Sequence, residues 1–400
     1  MKTEPFEFEL LTRAFVGGAI PRTTAELRGS SIRGQLRWWF RTLGGFKALA
    51  PTKVPEQENS IFGAAAGDSG LAGQLRLQVL PLAPPVIQVI GRTEVQALAG
   101  ESYLIWPFAQ ERDGQPTPRA CLVAGTTFEL RVHWRGDLSL WPSIRALVAV
   151  FGHLGSLGAR GRRAMGALAL TSSGLPLKDC LAHFAQPGNL DIRDLNPTGL
   201  SSCQAAVGEL ARWLRSWRLH GQMAQAWIKT GDNTGYWRRI TDDEQRTNRE
   251  KPGFHFARRD HNEGLDVQGS GATNPDPEQP AGAPGNTYRP ALGLPIVQFF
   301  SSLEATDGKQ LARRLATVEW TATAAGGRFA SPVVLRVYRS QKGWHPLVLF
   351  LDSRQWDYAE KVHLACRAKG TQATRTVLPD LYKAMKLSLA KFDLEPEKSP

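Results

Sequence analysis

The residues best suited to chemistry in this 400-residue chain are arginines set beside rings and glycines. In "ELRGSSIRGQLRWWFRTLG", Glu26 to Gly44, Arg28, Arg33, Arg37 and Arg41 surround Trp38, Trp39 and Phe40. In "LGSLGARGRRAMGALAL", Leu154 to Leu170, Gly155, Gly158, Gly161 and Gly166 surround Arg160, Arg162 and Arg163. Guanidinium forks match phosphate oxygens, an indole stacks on a base, and glycine lets another backbone come close. The chemistry in view is the holding of a sugar–phosphate strand.

On a helix, Ile32, Leu36, Trp39, Phe40 and Leu43 fall on one apolar stripe, and Arg33, Arg37 and Arg41 follow at i, i+4 and i+8 beside it. Trp38 lies on neither. Ser30 and Ser31 are expected to cap the helix, with Gly29 turning the chain into it. Such a helix start offers free backbone N–H groups and positive dipole to a phosphate. Each feature also has a plainer reading: Trp39 and Phe40 as core, Trp38 as core or stacking platform, the arginines as a solvated face. Like charges at i, i+4 destabilise a helix slightly. This helix has no acid of its own, so the row needs a counter-charge from elsewhere. The glycine-rich segment lacks the GK[ST] of a P-loop. It follows a helix and precedes a strand, the reverse of a dinucleotide fingerprint. Its plainer reading is a flexible basic turn.

Lys plus Arg number 49 and Asp plus Glu 37, a formal charge of +12. That balance suits a polyanion partner, or only solubility. Cys121, Cys180, Cys203 and Cys366 are scattered, so neither a zinc ribbon nor a disulfide framework is expected. No metal and no cofactor is expected. The N-terminus is unlike a signal peptide, and no apolar run approaches the roughly 20 residues of a membrane span; a soluble, cytoplasmic protein is expected. His153 is the best candidate for a general base on a ribose 2′-OH, although its helix position suits packing or capping better. His255 and His261 have Asp260 and Glu263 nearby but fall in a loop-like region. Asp242, Asp243 and Glu244 form a charge run that reads as a solvated turn.

Positioning these residues requires the following elements. "FEFELLTRAFVGG", "GQLRLQVLPL" and "TFELRVHW" alternate as strands, "WPSIRALVAVFGHLG" is helical, and "AMGALAL" is a short apolar strand. With the helix of the opening stretch the order is β-α-β-β-α-β, the ferredoxin-like or RRM-like pattern, in an α+β class. "SYLIWPFAQ" adds a hairpin or insertion between the second and third strands. Residues 1–172 are expected to form this domain, and residues 173–400 a second, more irregular α+β domain. There "CQAAVGELARWLRSWRLHGQMAQAWI" reads as helix, "SPVVLRVYRS" and "WHPLVLFLDS" as a hairpin around Gln341 to Gly343, and "LPDLYKAMKLSLAKF" as a closing helix. Residues 258–290, rich in Gly, Pro, Asn and Asp, read as a flexible insertion.

Taken together, "LLTRAFVGGA", "ELRGSSIRGQLRWWFRTLG", "SIFGAA" and "LGSLGARGRRAMGAL" resemble the RAMP superfamily of CRISPR proteins. Within it the likeness is to the first subunits of the type III-B, or Cmr, effector. That family joins a strand ending in Gly-Gly to a helix of the form S-x-[RK]-G-x-[LI]-R-[FW]-W and closes the domain with a glycine-rich, arginine-bearing loop. "ALGLPIVQFF" and "RFASPVVLRVYR" are similar to its second half. The resemblance implies two ferredoxin-like domains in one chain and membership of a ribonucleoprotein that pairs a CRISPR guide RNA with target RNA. It implies a place near the guide's 3′ end beside other RAMP subunits, no catalysis by this chain, and no membrane. The RNA-facing residues it implies are Arg28, Arg33, Arg37, Trp38, Arg41, Arg160, Arg162 and Arg163, with Arg328 a weaker candidate. Alternatives are a stand-alone RAMP endoribonuclease that processes CRISPR transcripts and a RAMP subunit of another type III complex.

Overall fold

The computed structural model describes residues 1–50, 52–64, 70–98, 100–109, 111–112, 115–172, 174–219, 286–287, 296–299, 317–322, 330–351, 362–366, 375–379 and 389–394. Alternation of Phe6, Phe8 and Leu10 with acids makes β1 (Lys2–Leu10), whose three apolar side chains are fully buried. Next come α1 (Gly29–Thr42), α2 (Val54–Phe62) and β2 (Leu75–Pro81). An insertion follows: β3 (Ile87–Ile90), α3 (Arg92–Ala97), α4 (Ser102–Ile105) and β4 (Arg119–Leu122). "SYLIWPFA" is helical within it, as α4 and a tight turn over Trp106–Ala109, while β3 and β4 supply the antiparallel pair.

The chain then forms β5 (Thr127–Trp134), α5 (Trp141–Leu154) and β6 (Leu168–Leu170). The strands make an antiparallel sheet in the order β6-β1-β5-β2. Two helical crossovers, α1 and α5, therefore bury their apolar stripes on this sheet. Phe8 lies opposite Phe128 with ring centroids 5.2 Å apart. Ile32, Leu36 and Phe40 of α1 and Leu147, Val148 and Phe151 of α5 join them in one core. Each such side chain, fully buried, stabilises by roughly 1.5–3 kcal/mol.

Further along lie α6 (Leu177–Leu181), β7 (Leu190–Asp194) and α7 (Cys203–Leu219). Short strands β8 (Asn286–Thr287), β9 (Ile296–Phe299) and β10 (Thr317–Ala322) come next. The expected hairpin is β11 (Val333–Ser340) with β12 (Gly343–Leu351). β13 (Val362–Cys366), β14 (Arg375–Pro379) and β15 (Ala390–Lys391) close the series. One further sheet runs β11-β12-β7-β15 and another β8-β14-β13-β10-β9. The expected closing helix is not helical at its described ends. Leu378 and Pro379 finish β14, and Ala390 and Lys391 pair with Asp194 and Arg193. Residues 380–388, like Arg328, His255, His261, Asp242, Asp243, Glu244 and most of 258–290, lie outside the described residues.

Two compact units result: Met1–Ala211 with Val333–Asp352 and Ala390–Pro400, and Arg212–Pro332 with Ser353–Leu389. The first unit runs past the division expected at residue 172, because β11 and β12 return to it. Leu335 of β11 exchanges backbone hydrogen bonds with the glycine-rich loop: Ala164 N donates to Leu335 O at 3.1 Å and Leu335 N to Arg162 O at 3.1 Å. Among the described residues, no helix is long and apolar enough to cross a membrane.

Candidate nucleic-acid interface

α1 buries Ile32, Leu36, Trp39 and Phe40, which leaves the arginine row on its flank. The helix starts two to three residues earlier than expected. Arg28 takes the N-cap position in extended backbone with no side-chain cap, and Ser30 and Ser31 fall inside the first turn. The counter-charge the row requires is Glu58 of α2, whose side chain is 7% exposed. Arg37 Nε meets Glu58 Oε1 at 2.5 Å, and Arg41 Nε meets Oε2 at 3.5 Å. Arg33 is held differently, donating to the carbonyls of Phe62 at 3.2 Å and Leu75 at 3.1 Å. Arg28 pairs with Glu26 at 2.9 Å, and that hydrogen bond holds the Glu26 carboxyl below its ordinary range. Arg41, 58% exposed, is the most open cation of the row.

The loop between α5 and β6 is fastened to the chain that leaves β1. Gly158 takes φ +85°, and a Cβ there would stand 2.5 Å from the Phe15 carbonyl oxygen. Gly166 takes φ +62°, with Leu157 O only 1.9 Å from the position of a Cβ. Thr12 Oγ1 donates to Ala164 O at 2.7 Å and accepts from Ala167 N at 2.9 Å. Its glycines thus serve close approach of the protein's own backbone, and the loop is ordered where the plainer reading expects a flexible turn. Arg160, at φ +64°, sends Nε to the Leu104 carbonyl at 2.7 Å. Arg163 is half-buried and runs beside Leu335. Arg162 turns toward α1: its Cζ lies 5.4 Å from the centre of the Trp38 ring. Burial lowers the pKa of Arg162 from its ordinary value, yet a guanidinium remains charged at neutral pH.

The two sequence clusters therefore meet at Trp38 and Arg162. Gly29, Ser30, Arg33, Gly34 and Arg37 line a cavity of about 400 Å³ on one flank of α1. Gln35, Trp38, Trp39 and the loop residues Ser156, Gly161 and Arg162 line a second, of about 190 Å³, on the other. A cationic, ring-bearing helix with a recess on each side has the chemistry to meet phosphates with its cations and bases with its rings. Residues 7–169, which carry both clusters, match the family described as the RAMP superfamily. By that match, this part of the chain is similar to the RAMP superfamily.

The chain is also similar to two curated proteins and to a solved structure. The CRISPR system Cmr subunit Cmr1-1 of Pyrococcus furiosus is 28% identical over 200 residues, 48% of this chain and 54% of that protein. Cmr subunit Cmr1-2 of the same organism is 37% identical over 65 residues, 16% of this chain and 34% of that protein. The chain thus spans about half, or less, of the curated relatives it matches. The crystal structure of apo Cmr1 from Pyrococcus furiosus is similar with a TM-score of 0.47 at 15% identity, covering 88% of this chain and 89% of that one.

Within the RAMP segment His153 is a packed residue. Its Nε2 lies 2.8 Å from the Leu175 carbonyl, so that nitrogen carries the proton and is spent on the fold. No cluster of His, Cys, Asp and Glu among the described residues is arranged to hold a metal ion.

Two groups outside the sequence expectations stand out. Arg336 of β11 is 1% exposed and donates to the carbonyls of Gly152, His153 and Leu168. A lone charge at an inward position of "VVLRVY" was its signal. Asp194, His345 and Ser340 form a hydrogen-bonded chain, with His345 Nδ1 at 2.8 Å from Asp194 and Nε2 at 2.8 Å from Ser340 Oγ. Lys342 N donates to the same Oγ at 3.0 Å, which makes the hydroxyl a staple of the β11–β12 turn.

Proposed function

We propose that this chain is a non-catalytic RNA-binding subunit of a type III-B CRISPR ribonucleoprotein. It sits toward the 3′ end of the guide RNA, beside other RAMP subunits, and helps capture target RNA. The observation that supports the reading is the approach of Arg162 to Trp38, which brings the basic loop beside the basic helix. The names of the two curated relatives point to the same assembly. Sheet order β6-β1-β5-β2 with two helical crossovers supports a ferredoxin-like first domain, and the second is proposed as an irregular copy. The phosphate contacts are assigned to Arg28, Arg33, Arg37, Arg41, Arg160, Arg162 and Arg163, with Trp38 as the stacking platform and Arg328 as a further contact.

Salt titration tests this. For a single strand, log K falls with log salt by about 0.7 per phosphate contacted. Arg41→Ala and Arg162→Gln are each expected to shrink the slope by about 0.7 while the circular dichroism spectrum stays unchanged. An unchanged slope in both variants sinks the assignment. The endoribonuclease alternative depends on His153, and cleavage of repeat RNA that His153→Ala abolishes would replace the present reading.

A further inference from the structure

We propose that the smaller cavity, between α1 and the glycine-rich loop, receives one unstacked nucleobase of the bound RNA, an inference that rests on the RNA-binding reading above. The cavity measures about 190 Å³. That is below the roughly 300–1,000 Å³ of sites for drug-sized ligands and suits a single ring system. Two of its walls are the Trp38 and Trp39 rings, 4.9 Å apart and steeply tilted at 77°. The loop side is built from residues that take little room, Gly155, Ser156 and Gly161. A Cβ on Gly161 would stand 2.4 Å from Ser156 Oγ.

The decisive group is the Trp39 indole. Trp39 lines this cavity and is 1% exposed, and its Nε1 is buried with no hydrogen-bond partner among the described residues. Buried donors in folded proteins are nearly always satisfied, so the N–H calls for an acceptor brought by a ligand. Indole is a neutral donor with no acceptor function. It matches the carbonyl oxygen or ring nitrogen on the edge of a base, while aromatic walls match the base's face. Gln35 and Arg162 line the same cavity. In this arrangement the sugar–phosphate chain follows the arginines of α1, and one base leaves the stack and turns toward Trp39.

The test uses the full chain and two fluorescent probes of equal length at one salt concentration. One is a single-stranded RNA of mixed sequence, the other the same sugar–phosphate chain without bases. Wild type is expected to bind the intact strand roughly tenfold more tightly than the abasic one, as stacking and edge contacts together predict. Trp39→Phe keeps a ring and removes the donor. Gln35→Trp fills the recess from a half-buried helix position and reports independently if Trp39→Phe unfolds. Each is expected to cut the intact-to-abasic ratio by about threefold or more with abasic affinity unchanged. An identical ratio in wild type and both variants overturns the base site while leaving the RNA-binding reading intact. Failure of wild type to bind either probe overturns both.

Discussion

Glu58 illustrates how much a single residue settles. Arg37 and Arg41 are four apart on α1 and would repel, and one buried carboxylate reaches both. The spacing of the arginines demands such a group. Which acid supplies it depends on α2 folding back against α1, a tertiary fact that no local pattern in "VPEQENSIF" carries. The cysteines are the opposite case, since their scatter alone argues against a zinc ribbon or a disulfide framework. Burial pushes Cys121 up to about 11 and both Cys180 and Cys203 up to about 12 from an ordinary 9.0. A thiol raised in the folded state favours folding fully below its unfolded value, and that contribution is lost as pH rises toward the folded value. The melting temperature is therefore expected to fall as pH climbs from 9 toward 12. Near neutral pH these three thiols should label with a thiol reagent only after denaturation. Mass spectrometry showing fast labelling of any of them in the native protein contradicts the burial argument.

Elements carried most of what was legible. The strands of the β1–β5–β6 sheet and both crossover helices follow from period-two and period-3.6 patterns, because each buries one face on a shared core. The loop between α5 and β6 was legible as glycine- and arginine-bearing, but not its purpose: Gly158 and Gly166 admit the protein's own backbone rather than a ligand's. The start of α1 was misplaced because Ser30 and Ser31 match a capping composition, whereas the extended turn falls at Arg28. Least legible was the end of α5. Its last carbonyls, at Gly152 and His153, accept from Arg336, which lies some 180 residues away in the chain. Burial pushes that guanidinium down to about 9, so it remains a cation at neutral pH beside the negative end of the helix dipole. Arg336→Met keeps length and apolar bulk but removes the donor from three carbonyls. It is expected to cost about 3 kcal/mol of stability, read as a lower urea midpoint. A variant as stable as wild type shows that those carbonyls are satisfied without it.

At the scale of the whole molecule, charge and chain path act together. A formal charge of +12 disfavours compaction and favours a polyanion partner. The first unit takes part of its core from the far end of the sequence. Val334 of β11 and Leu347, Leu349 and Leu351 of β12 belong to the same apolar core as Phe8, Phe40 and Phe151. β7 lies between β12 and β15 in its sheet and has no other neighbour there. A linear reading divides the chain near residue 172 because pairing across so long a separation leaves no local trace. The consequence can be tested by ending the chain after Ala211, where the first continuous part of the unit stops. Such a fragment keeps the sheet β6-β1-β5-β2 but strips both neighbours from β7, Leu335 from the glycine-rich loop, and Arg336 from α5. It is expected to lose the cooperative thermal transition of the full chain, and under the proposed RNA-binding function its affinity for RNA should fall because the loop that carries Arg162 is no longer held. A fragment melting cooperatively at the full-chain temperature would show that the returning hairpin is dispensable and that the first domain closes on its own.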